Sequence, residues 1–287
     1  MRVVTMRRSL SRSAHTWVSS SAAPVAGNWN FPTPTRFGPG RVAELPEACA
    51  ALGITRPLLV TDKGISALPM VGEAVAVCDA AGLPTAMFDG VQPNPTGENV
   101  TDGVACFKEN ECDGVIAFGG GSAMDAAKCV ALMVGQTRPL FDFEDREDWC
   151  TRVDERGMVP CVAVPTTAGT GSEVGRASVI TDETSHTKKI IFHANMLPGA
   201  VILDPELTFG LSPSLTAFTG IDALSHSMEA FSSPNYHPMA QGIALEGMKL
   251  VQEFLPAACA DGNDVVARSQ VSVFYVPLHS TRILLTV

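Results

Sequence analysis

The amino-acid sequence predicts an α/β fold in which a largely parallel β-sheet is followed by a helical domain. Five short apolar runs alternate with helix-like segments, and the strand signals stop after residue 207. Because short β-branched runs separated by helical patterns need crossover connections, their strands are expected to run parallel. The five runs are LLVT at 58–61, TAMF at 85–88, VIAF at 115–118, CVAV at 161–164 and AVIL at 200–203.

Two further patterns complete the predicted elements. Residues 176–193, RASVITDETSHTKKIIFH, predict two strands joined by a polar turn, a hairpin attached to the sheet. Residues 212–231 and 237–255 place apolar side chains three and four positions apart, which predicts two consecutive helices. The predicted organisation is an extension at 1–27, an α/β domain at 28–205, a partial helical domain at 206–270 and a divergent tail at 271–287.

Composition narrows the classes of function. The 287-residue chain has a net charge of -10 and a pI near 5.0, which argues against nucleic acid as a partner, because phosphate binding needs clustered Lys and Arg. No run approaches the roughly 18 consecutive apolar residues of a membrane helix, so no membrane partner is expected. The eight cysteines are scattered without a CxxC pair, which predicts a reducing compartment and a cytoplasmic location.

The first 43 residues favour a second location. They contain no Asp or Glu, are rich in Ser and carry Arg2, Arg7, Arg8 and Arg12. This composition is typical of an organelle transit peptide, so the mitochondrial matrix is the alternative to the cytoplasm. A disordered extension, or a start codon assigned too early, explains the same composition.

A glycine motif follows the third apolar run. In DGVIAFGGGSAMDAAKCVALM, a buried strand leads into three glycines and a helix that Ser122 is expected to open, with Asp125 at the spacing of a capping box. Gly120 and Gly121 let the backbone approach a ligand, and the N–H groups at the helix start favour an anion such as a pyrophosphate. A tight turn with a structural cap is the alternative, since the motif lacks the GxGxxG and GxxxxGKS/T spacings.

Other polar residues follow the remaining strands. Asp62 ends the first apolar run, where a carboxylate can accept hydrogen bonds from an adenosine ribose, although a simple turn has the same sequence. Asn94 lies in the proline-stiffened loop QPNPT, and Lys188 lies in the hairpin. Thr166 and Thr167 belong to the loop VPTTAGTGSEV, whose hydroxyls and amides suit phosphates and ribose. For each of these residues, the structural alternative is an ordinary solvated loop position.

The segment GIDALSHSMEAF places Asp222 and His226 four residues apart on one face of a helix. A carboxylate oxygen and an imidazole nitrogen can bind the same divalent cation. Two donors are fewer than the three or four protein ligands of most metal sites, so a hydrogen-bonded pair is the alternative. Of the other histidines, His186, His193 and His237 are expected at the surface or in loops.

Four motifs, in this order and at these separations, resemble the iron-containing (group III) alcohol dehydrogenases: GGGSAMDAAK, PTTAGTGSEV, DPEL and GIDALSHSMEAF. The similarity covers residues 28–269, and NFPTPTRFGPGRVAELP at 30–46 resembles that family's opening strand and helix. The resemblance implies a dehydroquinate-synthase-like fold, with a dinucleotide-binding α/β domain and a helical domain around a cleft, and it suggests a homodimer. By position, it implies cofactor contacts at Asp62, Asn94, Gly120, Gly121, Ser122, Thr166, Thr167 and Lys188, and metal ligands at Asp222 and His226.

The resemblance also implies an activity, a hydride transfer between a small alcohol or aldehyde and a nicotinamide cofactor. An acidic residue at position 62 favours NAD over NADP, because a carboxylate binds a ribose 2′-hydroxyl and repels a 2′-phosphate. The metal is expected to be Fe2+, with Zn2+ as the alternative, and to polarise the substrate oxygen. A glycerol dehydrogenase and a hydroxyacid-oxoacid transhydrogenase are alternatives within the same fold.

The sequence departs from the family pattern after Gln270. Two further histidine ligands are expected in a stretch resembling GxxHxxxHPLG, which the sequence lacks, and residues 271–287, VSVFYVPLHSTRILLTV, match nothing expected. The lone His279 of this tail lies in a different context. A truncated, catalytically impaired nucleotide-binding remnant, in which the metal pair binds weakly, is therefore the alternative interpretation.

Overall fold

Six parallel strands form the central sheet in the computed structural model, which describes residues 33–234 and 237–273. The strands are β1 Thr35–Phe37, β2 Pro57–Asp62, β3 Ala86–Val91, β4 Gly114–Gly119, β5 Cys161–Pro165, β6 Ala177–Asp182, β7 Thr187–Phe192 and β8 Ala200–Leu203. The central sheet has the order β1-β8-β5-β4-β2-β3, so all five predicted apolar strands are present and parallel. The predicted extension at 1–27 and His279 lie outside the described residues.

Helices cover both faces of this sheet. The helices are α1 Leu45–Ala51, α2 Pro69–Ala80, α3 Gly97–Glu109, α4 Gly121–Met133, α5 Pro213–Ser232, α6 Pro238–Ala260 and α7 Val265–Val273. Along β4, Val115 and Ala117 belong to the same hydrophobic core as side chains of α3 and α4, whereas Ile116 and Phe118 belong to a second core with side chains of α1 and α2. Because both faces are buried, the central strands appear in the sequence as continuous apolar runs without alternation.

The predicted hairpin is present as β6 and β7, but it forms a separate two-stranded antiparallel sheet. The hairpin is therefore not part of the central sheet, to which it was expected to be attached. The reason is that its backbone bonds to other elements: the Val179 N–H donates to the Asp125 carboxylate on α4 at 2.9 Å, and the Thr181 N–H donates to the Pro95 carbonyl at 2.8 Å. These bonds hold the hairpin over α4, beside the loop that contains Asn94.

Three helices follow the sheet, and polar side chains at their ends fix their bounds. Ser212 caps α5 by accepting a hydrogen bond from the Leu215 N–H at 3.2 Å. The third helix, α7, continues to Val273 and so includes the first three residues of the predicted tail. Buried Arg268 joins α7 to α5 by donating to the Thr216 hydroxyl at 2.8 Å. None of the helices in the described part of the chain has the length and apolar character needed to cross a bilayer.

Candidate functional site

The carboxyl edge of the sheet brings several predicted residues together. The Thr166 N–H, just after β5, donates to the carbonyl of Gly119 at the end of β4, at 2.9 Å. Asp62 ends β2 and accepts a hydrogen bond from the Gly64 N–H at 2.8 Å, which is the predicted turn. A methyl group on Gly119 would lie 3.2 Å from the second carboxylate oxygen of Asp62. The carboxylate and the glycines are therefore neighbours at this edge.

The N-cap of α4 lies two residues earlier than predicted, and Ser122 does not cap the helix. The N-cap is Gly120, whose carbonyl accepts from the Met124 N–H at 3.0 Å, and none of the described side chains caps the helix. The predicted capping box is therefore wrong. Its acidic member, Asp125, turns away to accept hydrogen bonds from the Ser172 hydroxyl at 2.5 Å and from the Val179 N–H. The uncapped N–H groups at the start of α4 can bind an anion.

A cavity of about 450 Å³ lies where the start of α4, the loop after β5, the hairpin and α5 meet. Six predicted site residues line it: Asn94, Gly121, Ser122, Lys188, Asp222 and His226. The other four, Asp62, Gly120, Thr166 and Thr167, do not line this cavity. The remaining lining residues are Pro95, Asp125, Thr170, Ser172, Ala177 and Val179.

The glycines at the start of α4 make room for close packing of the loop after β5. A methyl group on Gly121 would lie 2.7 Å from Cγ2 of Thr170, and one on Gly120 would lie 3.3 Å from Cγ2 of Thr167. A larger residue at position 121 would push the threonine away. The backbone at the start of α4 thus lies beside threonine hydroxyls, an arrangement that fits the phosphates of a nucleotide.

Asp222 and His226 point toward each other from one face of α5. Nε2 of His226 lies 3.9 Å from Oδ1 of Asp222, and Nδ1 lies 3.2 Å from the Gly169 carbonyl. Because a carbonyl only accepts, this hydrogen bond requires the proton on Nδ1, which places the lone pair of a neutral ring on Nε2. Bonds from zinc to nitrogen and oxygen ligands are about 2.1 Å long. One cation placed between Nε2 and Oδ1 can therefore bind both atoms.

The described residues supply only these two donors. No group of three or more His, Cys, Asp or Glu side chains that could hold a metal occurs within residues 33–234 and 237–273. Two histidines that were expected at the surface or in loops lie just before helices and are buried: Nδ1 of His193 accepts from the Asn195 N–H at 3.1 Å, and Nδ1 of His237 accepts from the Ala240 N–H at 3.2 Å. The pair therefore fits part of a metal site, and the described residues do not complete it.

Sequence reasoning missed a polar network behind the cavity wall. Lys128 is buried in α4, with 1% of its surface exposed, and its ammonium group lies 3.5 Å from the carboxylate of Asp125. The only signal in the sequence is a lysine and an aspartate three residues apart within an otherwise apolar helix. Helix periodicity would place such a pair at the surface as readily as in the interior.

The fold and the site together define a dehydroquinate-synthase-like protein, a parallel α/β domain followed by helices that carry a carboxylate and an imidazole. The family model described as iron-containing alcohol dehydrogenase matches residues 32–205. The model for the C-terminal part of the Fe-containing alcohol dehydrogenase family matches residues 216–274. The chain belongs to the iron-containing alcohol dehydrogenase family, as the four motifs indicated.

Individual relatives agree with this assignment. The chain is 36% identical to alcohol dehydrogenase 4 of Schizosaccharomyces pombe over 90% of its own length and 60% of the relative's. It is 40% identical to 4-hydroxybutyrate dehydrogenase of Cupriavidus necator over 80% of its own length and 59% of the relative's. The chain thus spans about 60% of the length of these curated relatives.

Solved structures show the same fold. A crystal structure of 1,3-propanediol oxidoreductase superposes with a TM-score of 0.83 at 35% identity, covering 90% of this chain and 66% of that one. Sulfoacetaldehyde reductase from Bifidobacterium kashiwanohense, solved in complex with NAD+, superposes with a TM-score of 0.82 at 32% identity, covering 90% and 67%. Both likenesses extend across the α/β domain and into the helical part.

Proposed function

We propose that this chain binds NAD(H) and a divalent metal and serves hydride transfer between a small alcohol or aldehyde and the nicotinamide. One observation carries the proposal: a single cavity is lined both by the glycine-rich start of α4 and by the Asp222 and His226 pair. Nucleotide and metal would therefore meet in one place. Hydride transfer needs this proximity, because the reacting carbon and the ring have to be held in contact.

Residues at the carboxyl edge of the sheet support the nucleotide-binding half of the proposed site. The N–H groups at Gly121 and Ser122, together with the helix dipole, would hold the pyrophosphate, and exposed Lys188 would add positive charge on the hairpin side. Asp62, at the end of β2, would accept hydrogen bonds from the adenosine ribose, which favours NAD over NADP. The NAD+ complex of the sulfoacetaldehyde reductase supports this choice by likeness of fold.

The metal half is supported only in part. Asp222 and His226 would supply two ligands, and the Gly169 carbonyl would keep Nε2 of His226 oriented toward the ion through its hydrogen bond to Nδ1. A bound divalent metal, Fe2+ in preference to Zn2+, would supply Lewis-acid polarisation of the substrate oxygen. The described residues provide two donors for such an ion rather than the usual three or four.

Substrate class, assembly and location extend the same proposal. The relatives' names include a 4-hydroxybutyrate dehydrogenase and a 1,3-propanediol dehydrogenase, which supports a small alcohol or aldehyde as the substrate. A homodimer is proposed from the family resemblance alone. A cytoplasmic location is proposed from the scattered cysteines, with the mitochondrial matrix as the alternative set by the acid-free, Arg- and Ser-rich first 43 residues.

A second candidate function is nucleotide binding without turnover. The observation that favours it is the count of two metal donors among the described residues. A cation held by one carboxylate and one imidazole exchanges readily, and the substrate oxygen would then lack a fixed electrophile. This candidate predicts NADH binding with no chelator-sensitive oxidation of any alcohol.

The first experiment measures the metal content and the NADH affinity of the same preparation, expressed with iron and purified anaerobically. Asp222→Ala is the matched control, because it removes one donor from a side chain that is 46% exposed and should leave the fold intact. Near-stoichiometric metal that is lost in the variant supports the dehydrogenase. Metal absent from both proteins, with NADH still bound, supports the second candidate, and no NADH binding overturns both.

A further inference from the structure

We propose that Lys128 is a positioning residue: its buried ammonium group holds residues 172–177 where they form one wall of the cavity. The inference rests on the proposed function for its link to nucleotide binding. Lys128 lies on the face of α4 directed at this segment, and only 1% of its surface is exposed. It does not line the cavity, so it is not a catalytic residue.

The contacts of the ammonium group define its role. Nζ donates to the carbonyls of Ser172 at 2.9 Å and Gly175 at 3.4 Å, and to the carbonyl of Ala177. An ammonium group has three N–H donors, so the three carbonyls use all of them. These carbonyls span the turn between the loop after β5 and the start of β6, and one side chain thereby fixes the path of the whole segment.

Asp125 completes the arrangement. Its carboxylate lies 3.5 Å from Nζ of Lys128 and accepts hydrogen bonds from the Ser172 hydroxyl and the Val179 N–H. The carboxylate supplies the opposite charge that a buried ammonium needs. Together the two side chains bond to both ends of residues 172–179, and Ser172, Ala177 and Val179 within this range line the cavity.

The same loop reaches the metal pair. A methyl group on Gly169, three residues before Ser172, would lie 2.7 Å from the Thr219 carbonyl, so this part of the loop touches the α5 backbone directly. The Gly169 carbonyl holds Nδ1 of His226. A displaced wall would therefore change the cavity on its nucleotide side and would also disturb the hydrogen bond that orients His226.

The test uses Lys128→Met, which keeps an unbranched side chain only one atom shorter and removes the three donors. Hydrogen exchange of the protein without ligand is expected to increase in peptides covering residues 169–179 and to stay unchanged in β2 and β4. The Kd for NADH, measured by fluorescence titration, is expected to rise about tenfold, because ordering the wall must now accompany binding.

Arg268→Met is the matched control. Arg268 is another buried cation that donates to backbone carbonyls, those of Gly262 at 2.9 Å and Leu211 at 3.4 Å, but it lies outside the cavity lining. Its loss should lower the melting temperature without raising the Kd for NADH. This difference separates positioning of the wall from general destabilisation.

The outcomes are distinct. A Kd change no larger than that of Arg268→Met, or unchanged exchange at 169–179, overturns the proposal. If Lys128→Met does not fold, Asp125→Asn is used instead, because it keeps the shape of the carboxylate. Hydrogen exchange at 169–179 must then increase in this variant, and unchanged exchange overturns the proposal. If the wild-type protein does not bind NADH, the proposed function fails, and exchange in the ligand-free protein alone decides whether Lys128 positions the wall.

Discussion

Replacing Gly119 by alanine tests whether the sheet edge has the geometry described. Gly119 is the last residue of β4, is buried, and has a φ of +146°, a region that residues with a side chain rarely adopt. A Cβ atom there would lie 2.7 Å from Cβ of Ala123 and 3.2 Å from Oδ2 of Asp62. The substitution therefore introduces backbone strain and a steric clash at the same point.

The expected loss of stability is the sum of the backbone strain and the steric clash. A non-glycine residue at such a φ costs about 1–3 kcal/mol. Inserting a methyl group against a neighbour in a packed interior costs a further 1–3 kcal/mol or so. The free energy of unfolding should thus fall by roughly 2–6 kcal/mol, a large share of the 5–15 kcal/mol typical of native proteins.

Urea unfolding followed by circular dichroism measures this change, with Gly72→Ala as the control. Gly72 lies inside α2, and nothing lies within 4 Å of the Cβ it would gain, so the same substitution there should stabilise the protein by about 0.5–1 kcal/mol. Opposite signs for two Gly→Ala changes are expected. A Gly119→Ala protein as stable as the wild type would refute the described conformation of the edge.

Three further predictions concern charge and reactivity. In fluorescence titrations, Asp62→Asn should lower the ratio of the Kd for NADPH to the Kd for NADH by about tenfold. The reason is that the 2′-phosphate is no longer repelled by a carboxylate. An unchanged ratio would mean that the adenosine ribose does not bind beside residue 62. The hydrogen bond from Lys189 holds the pKa of the Asp182 carboxyl well below its usual range, so this group stabilises the fold above about pH 4 and loses that effect as the pH falls further. Urea midpoints of Asp182→Asn and wild type should therefore differ at pH 7 and converge in acid. Burial raises the pKa of the thiols of Cys129 and Cys161 to about 12, so iodoacetamide at pH 8 should label them only after unfolding, as read by mass spectrometry.

The parallel sheet could be predicted because its signal is local. Strands β2, β4 and β5 are covered on both faces, so nearly every residue in them is apolar and each run stands out between polar segments. That the hairpin forms a separate sheet could not be predicted. Its alternation of apolar and polar residues is the same whether β6 joins the edge of a sheet or lies over α4. The hydrogen bonds that the hairpin N–H groups donate to Asp125 and Pro95, both distant in sequence, decide that question.

Six of the ten predicted site residues line one cavity, but their contacts could not be predicted. Sequence motifs identified Gly121, Asp222 and His226, and the structure places all three around one cavity. The capping box failed because the spacing of Ser122 and Asp125 is matched by chance, while the glycine backbone already provides the N-cap. Asp125 and Lys128 instead form hydrogen bonds to residues that lie more than 40 positions later in the sequence. No local sequence pattern predicts such contacts.

The loop after β5, which contains the motif PTTAGTGSEV, has its length fixed by contacts with three different elements. Its first residues bond to β4 through the Thr166 N–H, its middle touches α5 and holds His226 through Gly169, and its end bonds to α4 through Ser172. Each contact uses a backbone group or a short side chain, so inserting or deleting one residue would break at least one of them. The separation between the sheet edge and α5 is set by this loop, and the cavity occupies that separation.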